Sequence, residues 1–481
     1  MEKETLKEKT AKGLLWGAFN NGSMQVLNAV IGIFLARLLS PSDYGLVGML
    51  AVFTAIASAL QESGFTSALA NMEKPSDNDY NSVFWFSTFI SCISYTILFF
   101  AAPLIANFFH QVELISLSRF LFVSLIFSAL GTAHTAYLFK NMIVRETTIL
   151  RILSLIFSGI IGVILAFKGY AYWSLAWQQF LFIAIMSIGR FFITPWHPSL
   201  KIDFSPIKRM FSFSYKILLT TIINSLSQNL LTFIFGRFYS AKAVGNFSQA
   251  FKWDTMASTF VSGTIAMVAQ PILVEVNNDR ERQIKIFRKM LRFTAFLAFP
   301  AMFGLAMVAN EFIVLLISEK WVDSIPLLRI LCISGAFVPF YIMYQNLIVS
   351  RGKSAIYMWC TVALIIVQLS TVLTCFHYGI VIMVSIYTFV TILWLFVWQY
   401  FANKEIGIRL LDVLKDILPY LVITLIVMFI TYFSTTFIHN KIVLLIVRLI
   451  MASFLYFIVM KISGSQILEE CLRYFLRKKQ K

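Results

Sequence analysis

Charged residues are scarce in this sequence. Asp, Glu, Lys and Arg make up 13% of its 481 residues, whereas soluble domains carry about 25%. Hydrophobic residues reach 59%, and 48 residues are phenylalanine. Water cannot accommodate that much apolar surface, so the composition excludes a soluble globular protein. It predicts an all-α membrane protein with many spans.

Cysteines are few, and the motifs of metal, hydrolytic and nucleotide enzymes are missing. The five cysteines form no CxxC pair, and neither HExxH nor GxSxG occurs, so we expect no metal site and no catalytic residue. Gly352, Lys353 and Ser354 form a GKS string, but Leu347 stands where a Walker A loop needs glycine. The sequence therefore predicts a protein that is not an enzyme and has no cofactor.

Basic residues outnumber acidic residues, 40 to 23, which gives a net charge of +17. In a soluble chain this excess would suggest a nucleic-acid partner. Here the cations lie mostly between apolar segments, where the positive-inside rule explains them, so no nucleic-acid partner is expected. The charge distribution predicts a cytoplasmic N-terminus, and an even number of spans then returns the C-terminus to the cytoplasm.

Long apolar runs predict about fourteen transmembrane helices, since a bilayer core takes roughly 20 helical residues. The predicted outer connections are short turns, and no stretch is long enough for a soluble domain. The predicted spans are 13–38, 43–70, 82–108, 117–139, 149–167, 172–193, 211–238, 244–275, 290–317, 326–348, 356–376, 379–401, 417–437 and 442–461.

A short motif occurs twice in the chain. ARLLSPSDYG at 36–45 and GRFYSAKAVG at 236–245 share Arg, Ser and Gly at one offset. Six spans separate the two copies, so both halves have the same orientation in the membrane. The motif predicts two parallel, pseudo-repeated six-helix bundles plus two extra C-terminal helices. The predicted segments are an N-terminal bundle 1–193, a cytoplasmic linker 194–210, a C-terminal bundle 211–401, two additional helices 402–461 and a tail 462–481.

The tail 462–481 differs from the spans. Its apolar residues fall on one helical face and its basic residues fall largely elsewhere, which is typical of an amphipathic helix at a membrane surface. The alternative is a basic tail that only follows the charge rule for topology.

Cations inside the predicted spans are the main candidates for substrate binding, because each costs about 2.5–3.5 kcal/mol at mid-bilayer. Lys216 and Lys252 are the candidate cavity cations, and Arg37 and Arg237 lie nearer the outer mouth. The two arginines also have a structural interpretation. A cation at a helix C-terminus meets the negative end of the helix dipole and extends toward water.

Glu62 and Asp254 are the acidic candidates, for gating or ion coupling. Asp254 is two residues from Lys252, so on a helix the two side chains point to different sides and cannot pair. Glu62 and Lys216 belong to different predicted halves. We hypothesise that a salt bridge between them closes an inner gate.

Amide side chains recur along predicted spans 1 and 7, among them Asn28, Asn224 and Gln228. Such side chains are unfavourable against lipid, so they should face the protein interior. They serve either helix packing or hydrogen bonds to a sugar-bearing substrate.

Three stretches resemble the polysaccharide-transporter flippases of the Wzx type. They are FLARLLSPSDYGLVGMLAVF (34–53) followed by QESGFTSALAN, FGRFYSAKAVGNFSQAFK (235–252) and ISEKWVDSIPLLRILCISG (317–335). That family belongs to the multidrug/oligosaccharidyl-lipid/polysaccharide, or MATE-like, superfamily. The resemblance implies two six-helix bundles forming a V, alternating access, a cationic central cavity and energy from an H⁺ or Na⁺ gradient.

The resemblance also implies a substrate and a location. The expected substrate is a polyprenyl-diphosphate-linked oligosaccharide, moved to the periplasmic leaflet of the inner membrane for O-antigen, capsule or exopolysaccharide synthesis. Membrane lipids and other polysaccharide assembly proteins are the further expected partners. An ion-coupled multidrug or cation exporter of the same fold is the alternative, although it would favour acidic cavity residues. A membrane-embedded glycan polymerase would need a large outer loop, which this sequence lacks.

Overall fold

The structure, a computed structural model, describes residues 6–276, 279–470 and 473 of the chain. Every regular element in those ranges is helical, which confirms the all-α prediction. The chain divides into two compact units, Met1–Gly245 and Asn246–Lys481, called unit 1 and unit 2.

Unit 1 contains the first ten α-helices and the start of the eleventh. Their bounds are α1 Leu6–Leu38, α2 Pro41–Met49, α3 Ala51–Glu62, α4 Phe65–Asn71, α5 Asp77–Phe109, α6 Leu114–Leu130, α7 Thr132–Lys140, α8 Val144–Phe167, α9 Tyr172–Ile193, α10 Ser205–Phe238 and α11 Ala241–Glu275.

Unit 2 contains most of α11 and the remaining helices. Their bounds are α12 Arg280–Met307, α13 Ala309–Leu316, α14 Ser324–Gly335, α15 Val338–Ser350, α16 Ser354–Cys375, α17 Ile380–Ile406, α18 Leu410–Ser434 and α19 Lys441–Ile462.

In each copy of the repeated motif, a serine caps the helix that begins inside the motif. The Ser40 Oγ accepts the Asp43 backbone N–H at 3.3 Å, and the Asp43 Oδ2 accepts the Ser40 N–H at 2.8 Å, which completes a capping box for α2. In the second copy, the Ser240 Oγ accepts the Ala243 N–H, also at 3.3 Å. A serine cap therefore starts both helices, and the acidic half of the box occurs only in the first copy, since Ala243 stands at the position of Asp43.

Several predicted spans consist of more than one helix, and two of the breaks, both in unit 1, involve a glycine. Ser63 and Gly64 separate α3 from α4 and both have positive φ, 48° and 71°. A glycine is needed at the second position, because a Cβ on Gly64 would lie 2.8 Å from the Ser214 carbonyl oxygen on α10. The pair α6–α7 bends by 43° at Gly131. Neither break contains proline, so neither was predicted from the sequence.

The connection between α9 and α10 is fastened to α5. The Asn81 Oδ1 accepts the Ser199 N–H at 2.9 Å, and the Trp85 Nε1 donates to the Ser199 carbonyl at 2.8 Å. Asn81 also donates to the Lys201 carbonyl. Trp196 is buried in an aromatic cluster with Tyr80 of α5. We call residues 194–204 the strap.

The strap is shorter than the predicted linker 194–210, because α10 already begins at Ser205. Pro206 lies in the first turn of α10, where its missing N–H leaves no hydrogen bond unmade. Unit 1 also extends beyond the predicted bundle 1–193, since α10 packs against α3 and α5. The bundles drawn from the repeated motif stay a prediction.

Ion pairs join the last two helices to the rest of unit 2. The Arg288 Nε donates to the Asp416 Oδ2 at 2.6 Å, which joins α12 to α18. The Arg448 Nη1 lies 3.0 Å from the Glu311 Oε1, which joins α19 to α13. The Arg448 Nε also donates to the Thr435 Oγ1 at 3.1 Å. The predicted additional helices 402–461 are therefore packed parts of unit 2.

Eleven described helical stretches are long and apolar enough to cross a membrane, and the bent pair α6–α7 brings the number to twelve. Each of the fourteen predicted spans overlaps at least one α-helix. The multi-pass membrane protein is confirmed, while the count of fourteen stays a prediction. Half of the predicted amphipathic tail 462–481, namely residues 471, 472 and 474–481, lies outside the described residues.

Candidate functional site

A polar stripe runs along α10 and contains three of the predicted site residues. Lys216, Asn224 and Gln228 recur at multiples of four residues, with Thr220 between them, so they share one broad helical face. Lys216, Thr220 and Gln228 are exposed, and Asn224 is half-buried. The Lys216 Nζ lies 6.0 Å from the centre of the Tyr215 ring. The structure thus brings these polar groups together on one helix.

A second exposed face of α10 is apolar. Tyr215, Leu219 and Leu226 are 40%, 53% and 42% exposed and follow helical spacing on another side of the helix. The apolar face suits contact with lipid. The polar stripe does not, because cationic and amide side chains in a span face a water-filled or protein-lined space. Helix α10 therefore has one lipid-compatible face and one hydrophilic face.

Asn28 and Arg37 lie on α1, where Asn28 is half-buried and Arg37 is exposed. At the offset of the repeated motif, Asn28 corresponds to Gln228 and Arg37 to Arg237. The two copies therefore carry matching amide and guanidinium positions on the helix that begins each predicted half.

Arg237 holds α10 against the end of α5. Its Nη1 donates to the Phe108 carbonyl at 2.7 Å and lies 2.5 Å from the His110 Nε2. Its guanidinium carbon lies 5.1 Å from the centre of the Phe108 ring. These contacts match the structural interpretation of this arginine. Binding of an anion by Arg37 or Arg237 stays a prediction.

The two copies of the repeated motif touch each other through their glycines. A Cβ on Gly45 would lie 1.8 Å from the Ala241 carbonyl oxygen, and a Cβ on Gly245 would lie 1.7 Å from the Pro41 carbonyl oxygen. Pro41 and Ala241 are equivalent positions, the first residues of α2 and α11. Only glycine allows so close an approach, so the contact is reciprocal and depends on both glycines.

The hypothesised bridge between Glu62 and Lys216 is not formed. Both side chains are exposed, both residues lie in unit 1, and no ion pair joins them. The reason is the orientation of α10, whose Ile217 side chain faces Gly64 at the break after α3. Lys216, one position earlier, projects along the polar stripe instead. This structure gives no support to that gate.

Asp254 and Lys252 point to different environments in unit 2, as their spacing predicts. Asp254 is buried, its Oδ1 has no hydrogen-bond partner among the described residues, and a Cβ on Gly335 would lie 2.3 Å from that oxygen. Gly335 therefore leaves room for the carboxyl group. Lys252 is half-buried, with its Nζ 5.7 Å from the centre of the Trp253 ring. Asp254 as an ion-coupling residue stays a prediction.

A family model described as polysaccharide biosynthesis protein matches residues 34–326, which is more than half of the chain. The chain belongs to this polysaccharide biosynthesis family. The resemblance seen in the sequence is thereby confirmed.

The chain also resembles curated relatives at low sequence identity over most of its length. The chain is 22% identical over 372 residues to the teichuronic acid biosynthesis protein TuaB of Bacillus subtilis, covering 76% of each. It is 23% identical to the lipopolysaccharide biosynthesis protein WzxC of Escherichia coli, covering 69% of this chain and 68% of the relative. It is 22% identical to the succinoglycan biosynthesis transport protein ExoT of Rhizobium meliloti, covering 74% and 72%.

Similarity to solved structures shows that the chain has a MATE-like fold. The lipid II flippase MurJ, in an inward closed conformation, matches with a TM-score of 0.73 at 16% identity over 94% of this chain and 98% of that one. An inward-facing multidrug resistance transporter of the MATE family matches with a TM-score of 0.63 at 16% identity over 79% and 95%.

Several charged residues inside the predicted spans of this chain were not predicted as site residues. Glu311 and Arg448 form the buried pair of unit 2, while Arg151 and Arg190 lie together in unit 1. Each falls within a predicted span, so the same cost of charge in lipid should have singled them out. Among the described residues, no group of three or more His, Cys, Asp or Glu side chains is arranged to hold a metal ion.

Proposed function

We propose that this protein is a flippase for a polyprenyl-diphosphate-linked oligosaccharide. It moves this lipid from the cytoplasmic to the periplasmic leaflet of the inner membrane, with both termini in the cytoplasm. The proposal is supported by family membership and by relatives named for the biosynthesis of teichuronic acid, lipopolysaccharide and succinoglycan. The chain acts as a transporter and catalyses no covalent step.

The observation that carries the proposal is the hydrophilic stripe on α10. A diphosphate leaving water needs a cation, and Lys216 supplies one on an exposed face of a span. Sugar hydroxyls need donors and acceptors, and Asn224 and Gln228 supply both along the same face. The polyprenyl tail stays in lipid. Lys252, in unit 2, has the same proposed role as Lys216, that of a cation for the diphosphate.

Asp254 is the proposed coupling group. A carboxylate without a partner is costly in an apolar site, so the group gains from taking up a proton or a sodium ion. Its burial beside Met302 and Gly335, with an oxygen that accepts no hydrogen bond from a described residue, supports this role. An H⁺ or Na⁺ gradient is thus the proposed energy source, without any cofactor.

The test is flipping of a fluorescent lipid-linked oligosaccharide in liposomes, followed by an impermeant quencher. Lys216→Ala should slow flipping about 10- to 100-fold, since a charge-assisted hydrogen bond contributes roughly 1.5–3 kcal/mol. Leu219→Ala, on the apolar face of the same helix, is the matched control and should keep the wild-type rate. Asp254→Asn should abolish the response to an imposed ion gradient while downhill flipping persists.

Two results would contradict the proposal. One is wild-type flipping in Lys216→Ala and in an Asn224→Ala/Gln228→Ala double variant. The other is transport of organic cations, with no flipping of the lipid-linked sugar, by the wild-type protein. The second result would indicate the drug exporter instead.

A further inference from the structure

A cationic cavity in unit 1 lies apart from the polar stripe. Its volume is about 640 Å³, and it is lined where α7 ends, α8 begins and α9 approaches its last residue. Lys140, Arg151 and Arg190 contribute three cations to its lining. Leu138 and Ile143 are among its apolar walls. The cavity thus combines positive charge with a hydrophobic surface at one end of the helices.

No carboxylate in the described part of the chain pairs with the cations of this cavity. Among the described side chains, no carboxylate lies within salt-bridge distance of Lys140, Arg151 or Arg190. The Arg190 Nε is enclosed yet has no hydrogen-bond partner among the described groups. The Lys140 Nζ donates to the Ala70 carbonyl at 2.9 Å, and a carbonyl is a neutral partner that leaves the charge uncompensated. The cavity therefore has an excess of positive charge.

Arg190 is half-buried and packs closely against a neighbouring helix. A Cβ on Gly131 would lie 2.8 Å from its Nη1 and 3.0 Å from the Ser187 Oγ, so the guanidinium packs against the break between α6 and α7. A guanidinium stays charged in a protein. Enclosing it without a counter-ion is unfavourable, and a bound anion would relieve that cost.

Phosphate is the anion that fits both features of the cavity. Guanidinium groups bind phosphate through paired hydrogen bonds, and lysine binds it as a point charge. Thr135, Thr147 and Thr148 add hydroxyl groups to the lining. The apolar walls would give nothing to a free aqueous anion, whereas they suit the first carbons of a lipid chain.

We propose that this cavity binds the phosphate headgroup of a membrane lipid. Arg151 and Arg190 hold the phosphate, Lys140 adds charge, and the apolar wall receives the start of the chain. The site does not depend on the proposed flippase activity. Two lipids carry the required chemistry, an anionic phospholipid of the bilayer and a polyprenyl phosphate carrier.

Native mass spectrometry of the full-length protein in detergent tests the site. The probes are phosphatidylglycerol, undecaprenyl phosphate, uncharged diacylglycerol and inorganic diphosphate. Arg151→Ala/Arg190→Ala should weaken binding of at least one lipid phosphate by about tenfold or more, since a basic residue contributes roughly 1 kcal/mol to such contacts. Lys74→Ala/Lys208→Ala is the matched control, because it removes two exposed cations of unit 1 outside the cavity.

The lipid that loses affinity identifies the source. Loss for phosphatidylglycerol supports a bilayer phospholipid, and loss for undecaprenyl phosphate alone supports the carrier. The single variant Arg151→Ala, at an exposed position, should show a smaller loss if the double variant does not fold. Equal binding of every lipid by wild type and variants overturns the proposal. Binding of inorganic diphosphate without either phosphate lipid also overturns it.

Discussion

Glu311 and Arg448 lie 3.0 Å apart, with side chains only 5% and 6% exposed. The Arg448 guanidinium also lies 4.8 Å from the centre of the Tyr432 ring and donates to Thr435. Such a pair is costly to bury and is stable only when both partners are present. Its geometry indicates a role in holding α19 against α13.

A double-mutant cycle tests this role. Arg448→Leu should destabilise the protein by about 3–5 kcal/mol, because Glu311 then stays buried without a counter-ion. Glu311→Leu should also destabilise the protein, because Arg448 then stays buried without a counter-ion, whereas Glu311→Leu/Arg448→Leu should recover most of the loss, since no buried charge remains. Thermal unfolding of the three purified variants in one detergent measures these changes. Additive effects of the two single changes would contradict a coupled pair.

At the residue scale, candidate site residues were predicted from residue type and from depth within a span, whereas the side chains that they contact were not predicted. Lys216, Asn224 and Gln228 were predicted, because a polar residue in an apolar run is visible in the sequence. Their common exposed face follows from their spacing by four. The pairing of Glu311 with Arg448 and the closeness of Arg151 to Arg190 depend on contacts between separate helices, which spacing along the sequence does not give.

At the element scale, the strap is held by polar contacts with α5. The Asn78 Nδ2 donates to the Asp203 Oδ2 at 2.9 Å, and the Asp203 Oδ1 accepts the Ser205 N–H at 2.8 Å. The Asn78 hydrogen bond, followed by the Ser205 contacts, holds the pKa of Asp203 below its ordinary value of 3.8. The ionised form of Asp203 therefore stabilises the contacts between the strap and α5.

The sign of this shift predicts the pH dependence of the strap. A lowered pKa in the folded state gives a contribution that is complete above pH 3.8 and is lost only as the pH falls through the lower folded value. Hydrogen exchange at residues 199–205, corrected for intrinsic rates, should therefore show constant protection between pH 5 and 8. Asp203→Ala should reduce protection throughout that range. A protection that falls between pH 8 and 5 in the wild type would contradict this account.

Elements were predicted best where long apolar runs end in polar turns. The start of α2 follows from Ser40 and Pro41, which are visible as a cap and a first-turn proline. The breaks at Ser63 and Gly131 were missed, because they arise from close packing with α10 and α9 rather than from a local signal. The strap was predicted as part of the linker 194–210, since that segment is a long connection with three prolines, and its contacts with α5 are nonlocal.

At the scale of the whole molecule, the repeated motif and the charge rule both concern topology. The motif glycines Gly45 and Gly245 meet through equivalent carbonyls, so the sequence repeat corresponds to a real contact in unit 1. The charge rule predicts which ends of the helices face the cytoplasm. Orientation is a property of the chain in a membrane, and packing alone does not give it.

Cysteines introduced one at a time into exposed connections test the predicted orientation. Lys168, after α8, belongs to a predicted outer turn, and Lys74, between α4 and α5, belongs to a predicted cytoplasmic one. In intact cells, a membrane-impermeant maleimide that crosses only the outer membrane should label Lys168→Cys. It should label Lys74→Cys only after the inner membrane is opened. The parent chain, with Cys92 exposed within α5, gives the background. The reverse pattern would invert the topology and place the basic connections outside. Labelling of both cysteines in intact cells would mean that the spans between them do not follow the predicted order.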